Sequence, residues 1–179
     1  MQTSSIDKNI VLIGMPGAGK STIGLLLAQR LAKKFIDTDM LIQNRAHRTL
    51  QEILDQQGYA ALRTIEEIEI LSLSAANAVI ATGGSAAYSE KAMVHLKVNG
   101  IIFYLHATMA TLLSRIDNMN SRGIAKAPNQ SFEDLYMERE ALYRTYADFE
   151  IMCGNKSHET IVEEIMHTLQ FFVPAQVLR

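Results

Sequence analysis

Short runs of consecutive apolar residues alternate along this chain with longer stretches of helical periodicity. Asn9-Ile10-Val11-Leu12-Ile13 is apolar at successive positions and rich in β-branched residues, as a strand buried on both faces must be. Residues 77–82 and 101–105 repeat that pattern. The first run ends at Gly83-Gly84, and the second follows the Asn99-Gly100 turn. Lys34-Phe35-Ile36-Asp37 and Phe149-Glu150-Ile151-Met152 are weaker strand patterns. Leu and Ile recur at helical spacing over residues 21–31. Further helical patterns cover 50–56, 59–75, 89–97, 108–117, 131–147 and 157–171. This alternation predicts an α/β fold: a three-layer arrangement around a five-stranded, mostly parallel sheet with right-handed crossovers. Ligands should then collect at the carboxyl ends of the strands.

The first strand runs into Gly14-Met15-Pro16-Gly17-Ala18-Gly19-Lys20-Ser21, which fits G-x-x-x-x-G-K-[ST], and a helical pattern follows. The glycines let the backbone curl with its N–H groups around an anion, and the helix N-terminus adds partial positive charge. Gly17, Ala18, Gly19, Lys20, Ser21 and Thr22 therefore form a candidate nucleotide-phosphate site. Lys20 can reach the β- and γ-phosphates, and the Ser21 hydroxyl can ligate Mg²⁺. The competing reading, a Gly-rich turn of a dinucleotide fold, explains neither the lysine nor the hydroxyl.

Composition adds bounds. The 179 residues are enough for one domain, and 48% of them are apolar, which suffices for a sheet covered on both faces. The net charge of -2 gives no support for a nucleic-acid surface, so any basic site must be local. Cys153 is the one cysteine and reads as a packed residue beside a strand; a reducing compartment suits the chain. The amino-terminal residues lack the pattern of a signal peptide, and no apolar run is long enough to cross a bilayer. The expectation is a cytoplasmic, monomeric protein with a small-molecule substrate, no nucleic-acid partner and no membrane partner. The five histidines are scattered without ligand spacing and read as surface or packing residues.

Further candidates lie at strand ends and on helices. In Asp37-Thr38-Asp39 one carboxylate can serve the Mg²⁺ shell and the other can orient an acceptor hydroxyl; a helix cap with a surface neighbour is the alternative. Gly83-Gly84-Ser85 can admit a polar substrate to the backbone, or form a plain turn. Arg63 has Glu66 and Glu67 at i+3 and i+4, the spacing of a surface salt bridge. Arg139 stands among Glu138, Glu140 and Arg144, as on a solvated helix face. Together, the two arginines could grip one carboxylate. Residues 118–130 are polar and irregular, with Arg122 in the middle, and read as a lid that closes on the transferring phosphoryl group; a plain surface loop is the alternative.

These residues carry a resemblance to the shikimate kinase family, which is related in fold to nucleoside monophosphate kinases. The matching segments are residues 14–24, Phe35-Ile36-Asp37-Thr38-Asp39, Gln51-Glu52-Ile53-Leu54 with Gly58, and Leu62-Arg63-Thr64-Ile65-Glu66-Glu67. They continue with Ala81-Thr82-Gly83-Gly84, Arg139-Glu140-Ala141-Leu142-Tyr143 and Tyr146-Ala147-Asp148. They run over nearly the whole chain. The resemblance implies sheet order 2-3-1-4-5 and Mg²⁺–ATP-dependent transfer of the γ-phosphoryl group to the 3-hydroxyl of shikimate, in aromatic amino acid biosynthesis. It implies a single kinase domain over 1–179, with an acceptor-binding helical region at about 39–75 and the lid at about 118–130. It implies Lys20, Asp39 and Arg122 as catalytic residues, and Arg115 and Arg122 beside the P-loop on the nucleotide. It further implies Ser21 and Asp37 toward the metal, and Asp39, Arg63, Gly83, Gly84 and Arg139 on the substrate.

The chain departs from the family pattern in three places. Ser85 stands where the family usually has a third glycine. The lid reads Arg122-Gly123-Ile124-Ala125 where the family usually has Arg-Pro-Leu-Leu, so a proline at position 123 is expected to favour closure if the closed backbone tolerates it. Tyr59 and Leu62 stand where the family usually has Glu and Phe. These departures bear on the acceptor and leave two other readings open: a kinase for another hydroxylated acid such as gluconate, or a nucleotide-binding regulatory relative.

Overall fold

The structure is a computed structural model that describes residues 7–115 and 123–172. Its elements run in the order β1 (Asn9–Ile13), α1 (Lys20–Arg30), β2 (Lys34–Asp37), α2 (Thr38–Ala46), α3 (Leu50–Leu71) and β3 (Ala78–Ala81). They continue with α4 (Glu90–Val98), β4 (Gly100–His106), α5 (Met109–Arg115), α6 (Phe132–Tyr146), β5 (Phe149–Met152) and α7 (His158–Phe172). The five strands pair in parallel in the order β2-β3-β1-β4-β5, with helices flanking the sheet. The predicted architecture and strand order both hold.

The apolar strand runs place the centre of the core. All of β1 and β4 is buried, and Leu12 lies between Ala81 of β3 and Phe103 of β4. Each fully buried Leu, Ile or Phe of these strands contributes about 1.5–3 kcal/mol from lost water contact. A second, smaller cluster joins Ile42 of α2 with Ile53 and Leu62 of α3 and Ala125 from the segment before α6. Leu62 and Ala125 of this cluster face a large cavity. Cys153 packs into the main core, as expected. Among the described residues no helix is long and apolar enough to cross a membrane.

Three local features differ from the sequence pattern. Residues 38–46 form α2, which the pattern does not announce because only Thr38 and Ile42 are buried in it. Asp37 makes the helix by capping it: its Oδ1 accepts from the Asp39 and Met40 amides at 3.0 and 3.2 Å. The helical patterns at 50–56 and 59–75 are one element, α3, interrupted at Gly58 with φ of 81° and closed at its start by the Thr49–Glu52 capping box. It ends at Leu71, because the apolar residues of 72–75 pack beside the core in irregular backbone.

Candidate active site

The carboxyl ends of the strands open into a cavity of about 920 Å³. One end is the P-loop. Gly17 and Gly19 have φ of 86° and 96°, and α1 begins at Lys20 with no side chain capping its amides, so they remain open to an anion. The Lys20 Nζ donates to the Gly14 and Met15 carbonyls at 2.7 and 3.0 Å. Burial lowers its pKa to about 8, although the Asp39 charge opposes the shift. Gly17, Gly19, Ser21 and Thr22 line the cavity, whereas Ala18 is buried beneath it with its amide on the Met15 carbonyl.

Beside the P-loop, Arg115 at the end of α5 donates to the Gly154 carbonyl at 3.0 Å and lines the cavity with residues 156–159. His158, read from the sequence as a packing or surface residue, is one of these. Its ring lies against the P-loop, 3.5 Å from where a β-carbon on Gly19 would stand. Nothing in its sequence neighbourhood signals this; the return of β5 to the sheet's edge places it there.

The other end of the cavity gathers residues far apart in sequence. Arg139 is 1% exposed, so the solvated-face reading of its charged neighbours does not hold. Leu135, Arg139 and Tyr143 are the buried residues of α6, at i, i+4 and i+8, and that spacing was a legible signal. Tyr143 holds the helix to the β3 turn by donating its hydroxyl to the Gly84 carbonyl at 2.5 Å. Gly84 lines the cavity; a β-carbon there would stand 2.8 Å from Arg139 Nη1, so only glycine admits the guanidinium so close. The Gly83 amide donates to the Thr38 hydroxyl at 3.0 Å.

Arg63 and Arg139 converge. Both donate to the Ala125 carbonyl, at 3.4 and 2.7 Å, and both lie over the Tyr88 ring, at 3.5 and 5.5 Å from its centroid. The Nε of each is buried and has no hydrogen-bond partner. Arg63 is not paired with its helical neighbours: Glu67 accepts from the Ser89 hydroxyl, and Glu66 is buried against Ser85. The Tyr59 ring centroid is 5.2 Å from the Arg63 guanidinium, and Leu62 supplies an apolar wall.

Glu66 is the main residue that the sequence reading did not assign to the site. It and Asp39 meet over Gly83: a β-carbon on Gly83 would stand 2.6 Å from Asp39 Oδ1 and closer still to Glu66 Oε1. Asp39 Oδ1 is buried without a partner. Burial raises Asp39 to about 6, against the pull of Lys20, and raises Glu66 to about 8, with the Asp39 charge adding to the effect.

Of the expected lid, Arg122 and residues 118–121 lie outside the described residues. Residues 123–125 are buried against α3, with the Gly123 amide donating to Gln51 Oε1 at 2.9 Å. Gly123 has φ of 62°, and a β-carbon there would meet Leu50 at 2.6 Å. The proline expected to favour closure is therefore incompatible with this backbone. It requires φ near −65°, and it has no N–H for Gln51.

The chain matches the family model described as shikimate kinase over residues 16–170. The chain belongs to the shikimate kinase family. Shikimate kinase from Sulfurihydrogenibium sp. (strain YO3AOP1) is 34% identical over 160 residues, covering 89% of this chain and 96% of that protein. Shikimate kinase from Pseudomonas aeruginosa (strain LESB58) is 35% identical over 169 residues, covering 93% and 98%. Among solved structures, shikimate kinase from Acinetobacter baumannii in complex with shikimate superposes with a TM-score of 0.85 at 30% identity, over 93% of this chain and 94% of that one. The resemblance carried by the motifs is thus a family membership. Members of this family are P-loop kinases that use ATP with Mg²⁺.

Proposed function

We propose that this chain transfers the γ-phosphoryl group of ATP to the 3-hydroxyl of shikimate, giving shikimate 3-phosphate and ADP, with the two ends of the cavity dividing the work. The observation that carries this reading is the convergence of the buried Arg139 and the partly buried Arg63. Two guanidinium groups with unpartnered Nε–H, turned on one carbonyl oxygen, are a receptor for a planar anion of carboxylate shape. Shikimate supplies that carboxylate at one end and hydroxyls at the other, where Asp39 stands.

At the phosphate end, Lys20 and the P-loop amides hold the β- and γ-phosphates, and Arg115 flanks the nucleotide. Ser21 and Asp37 would hold Mg²⁺. One hydroxyl and one carboxylate suit a hard cation that takes its other ligands from phosphate and water. Among the described residues no group of three metal-binding side chains competes with them. The ion, when bound, neutralises charge on the phosphates. At the acceptor end, Arg63 and Arg139 bind the carboxylate, and the Gly83–Gly84 backbone borders the ring. Asp39 orients the attacking hydroxyl and accepts its proton. Arg122 closes over the transferring group from a lid at residues 118–130, expelling water that would hydrolyse ATP. We read the chain as a single cytoplasmic, monomeric domain, with no nucleic-acid or membrane partner and its acceptor region at about 39–75.

ADP release measured with and without shikimate, and with gluconate as a rival acceptor, tests the reading. Release that depends on shikimate is expected. Release dependent on gluconate alone transfers the activity to another acid, and ATP binding with no acceptor dependence makes the chain a regulatory relative.

A further inference from the structure

Arg63 has carboxylates at i+3 and i+4 on its own helix, the spacing of an ion pair, and pairs with neither. The turn after β3 takes both. Glu66 is buried against Ser85, and Glu67 accepts from the Ser89 hydroxyl at 2.5 Å. Between the two serines runs a single 3₁₀ turn, Ala86–Tyr88, whose two alanines are buried in the main core. The segment is thus pinned at both ends to α3, and Tyr88 presents its ring to Arg63. The guanidinium carbon lies 3.5 Å from the Tyr88 ring centroid, against 5.5 Å for Arg139 and 5.2 Å from Arg63 to Tyr59. The Tyr88 hydroxyl is buried near Arg139 and Glu138 and has no hydrogen-bond partner among the described residues. What Tyr88 gives Arg63 is the face of its ring.

A carboxylate and a ring hold an arginine differently. A carboxylate takes the N–H groups in the guanidinium plane and offsets the charge. A ring holds the flat side of the group and leaves both the charge and the in-plane donors available. The Arg63 Nε has no partner, and its Nη2 reaches the Ala125 carbonyl at a long 3.4 Å. We propose that Tyr88 is a positioning residue for the acceptor: its ring holds Arg63 in place of Glu66 and Glu67, so that the guanidinium keeps its charge and its in-plane N–H groups for the acceptor's carboxylate. Tyr88 itself touches no reacting atom. The inference rests on the kinase reading above and deepens it, because it names what keeps the acceptor end selective for an acid. Without the ring, Arg63 regains side-chain freedom that binding must remove, and its own helix offers it competing carboxylates.

Titration calorimetry with shikimate and with its uncharged primary amide tests the role. Tyr88→Leu and Tyr88→Gln, two non-aromatic replacements, should each raise the Kd for shikimate by ~3–10-fold, the range of one cation–ring contact. They should leave binding of the amide nearly unchanged, because the amide brings no charge for Arg63 to meet. Tyr88→Phe keeps the ring face and should bind both ligands as the wild type does. In the Arg63→Ala background, Tyr88→Leu should weaken shikimate no further. In ADP release, KM for shikimate should rise in the non-aromatic variants while kcat and ATP affinity stay in place, and the retained ATP affinity also shows that they fold. A merely structural role would weaken shikimate and its amide alike, and that outcome overturns the proposal. So do additive losses in the double variant, and a loss in Tyr88→Phe equal to that in Tyr88→Leu, which would assign the effect to the hydroxyl. Wild-type protein that neither binds shikimate nor releases ADP in response to it overturns the kinase reading and this inference with it. Wild-type shikimate binding in both non-aromatic variants overturns the role of Tyr88 alone.

Discussion

The phosphate end and the acceptor end of the cavity are made differently. The phosphate end is built mainly on one continuous stretch, residues 14–22, whose backbone amides are open at the start of α1, with Arg115 and residues 156–159 beside it. The acceptor end draws Asp39 from α2, Arg63 and Glu66 from α3, Ser85 from the turn after β3, and Arg139 from α6. Backbone amides cannot be removed by substitution and have no pKa in the working range, so most of the P-loop itself is chemically fixed. Side chains can be exchanged one by one, and buried carboxyls respond to one another. The difference teaches where this chain can vary. Its departures from the family pattern at Ser85, Leu62, Tyr59 and residues 123–125 all border the acceptor end, and none touches the P-loop.

The sharpest way to break this division is at Lys20, the charged side chain of the P-loop. Lys20→Ala should remove turnover altogether, since a single preorganised donor to developing charge is already worth ~10²–10³-fold and Lys20 is proposed to serve two phosphates. Circular dichroism should show the fold retained. A folded variant with near-normal ADP release would mean that the loop does not bind the transferred phosphate.

Next in size is Asp39. Asp39→Asn should cut kcat by ~10²–10⁴-fold while leaving ATP affinity nearly intact, because an amide cannot take the hydroxyl proton. Asp37→Asn should act at the other end of the cavity. The helix cap survives, since asparagine caps as well as aspartate, but the Mg²⁺ concentration for half-maximal rate should rise. Identical responses of the two variants to a Mg²⁺ titration would erase the proposed boundary between the two ends.

The contrast also explains what the sequence could and could not disclose. The P-loop is legible because its parts are adjacent and its spacing is itself the mechanism. β1 and β4 are legible because strands buried on both faces leave unbroken apolar runs. α2 is not legible: it has two buried residues and owes its existence to the Asp37 cap, which reads equally well as a strand-end carboxylate. Glu66 looks like the i+3 partner of Arg63, and only the return of the chain at Ser85, nineteen positions on, reveals another partner. Arg139 is hidden by the charges beside it in sequence but betrayed by the i, i+4, i+8 spacing with Leu135 and Tyr143. Gly123 shows a limit of family comparison: the residue stands where relatives usually carry proline, yet its positive φ forbids that residue here.

Arg139 and Arg63 sharpen the comparison within the acceptor end. Replacing Arg139 with Ala should weaken shikimate binding by ~2–5 kcal/mol, the range for breaking a desolvated charge pair. Arg63 is only partly buried and is held chiefly by stacking, so Arg63→Ala should cost less, ~1–2 kcal/mol. ATP affinity should change little in either. Titration calorimetry with each ligand checks both statements, and equal losses for the two ligands would move the arginines to the phosphate end.

The smallest effect is on stability, and it gives the two ends opposite signs. Asp39 and Glu66 have native pKa values of about 6 and about 8, above those of the unfolded chain. From about pH 4 to pH 8 the native state therefore binds more protons than the unfolded state, and these groups lower stability as pH rises through that window. Lys20, lowered to about 8, does the reverse. Between about pH 8 and pH 10.5 the unfolded state binds the extra proton, so Lys20 makes stability rise with pH in that range. Glu66→Gln should flatten the fall between pH 5 and pH 8 and raise the ligand-free Tm at pH 8 by a few degrees, given that ~1 kcal/mol moves Tm by ~2–4 °C for a domain of this size. Lys20→Ala should leave that fall in place and flatten the rise above pH 8. Calorimetric scans of the three proteins across pH 5–10 separate the two effects. A Glu66→Gln curve parallel to the wild type from pH 5 to pH 8 would mean that Glu66 is ionised in the folded protein.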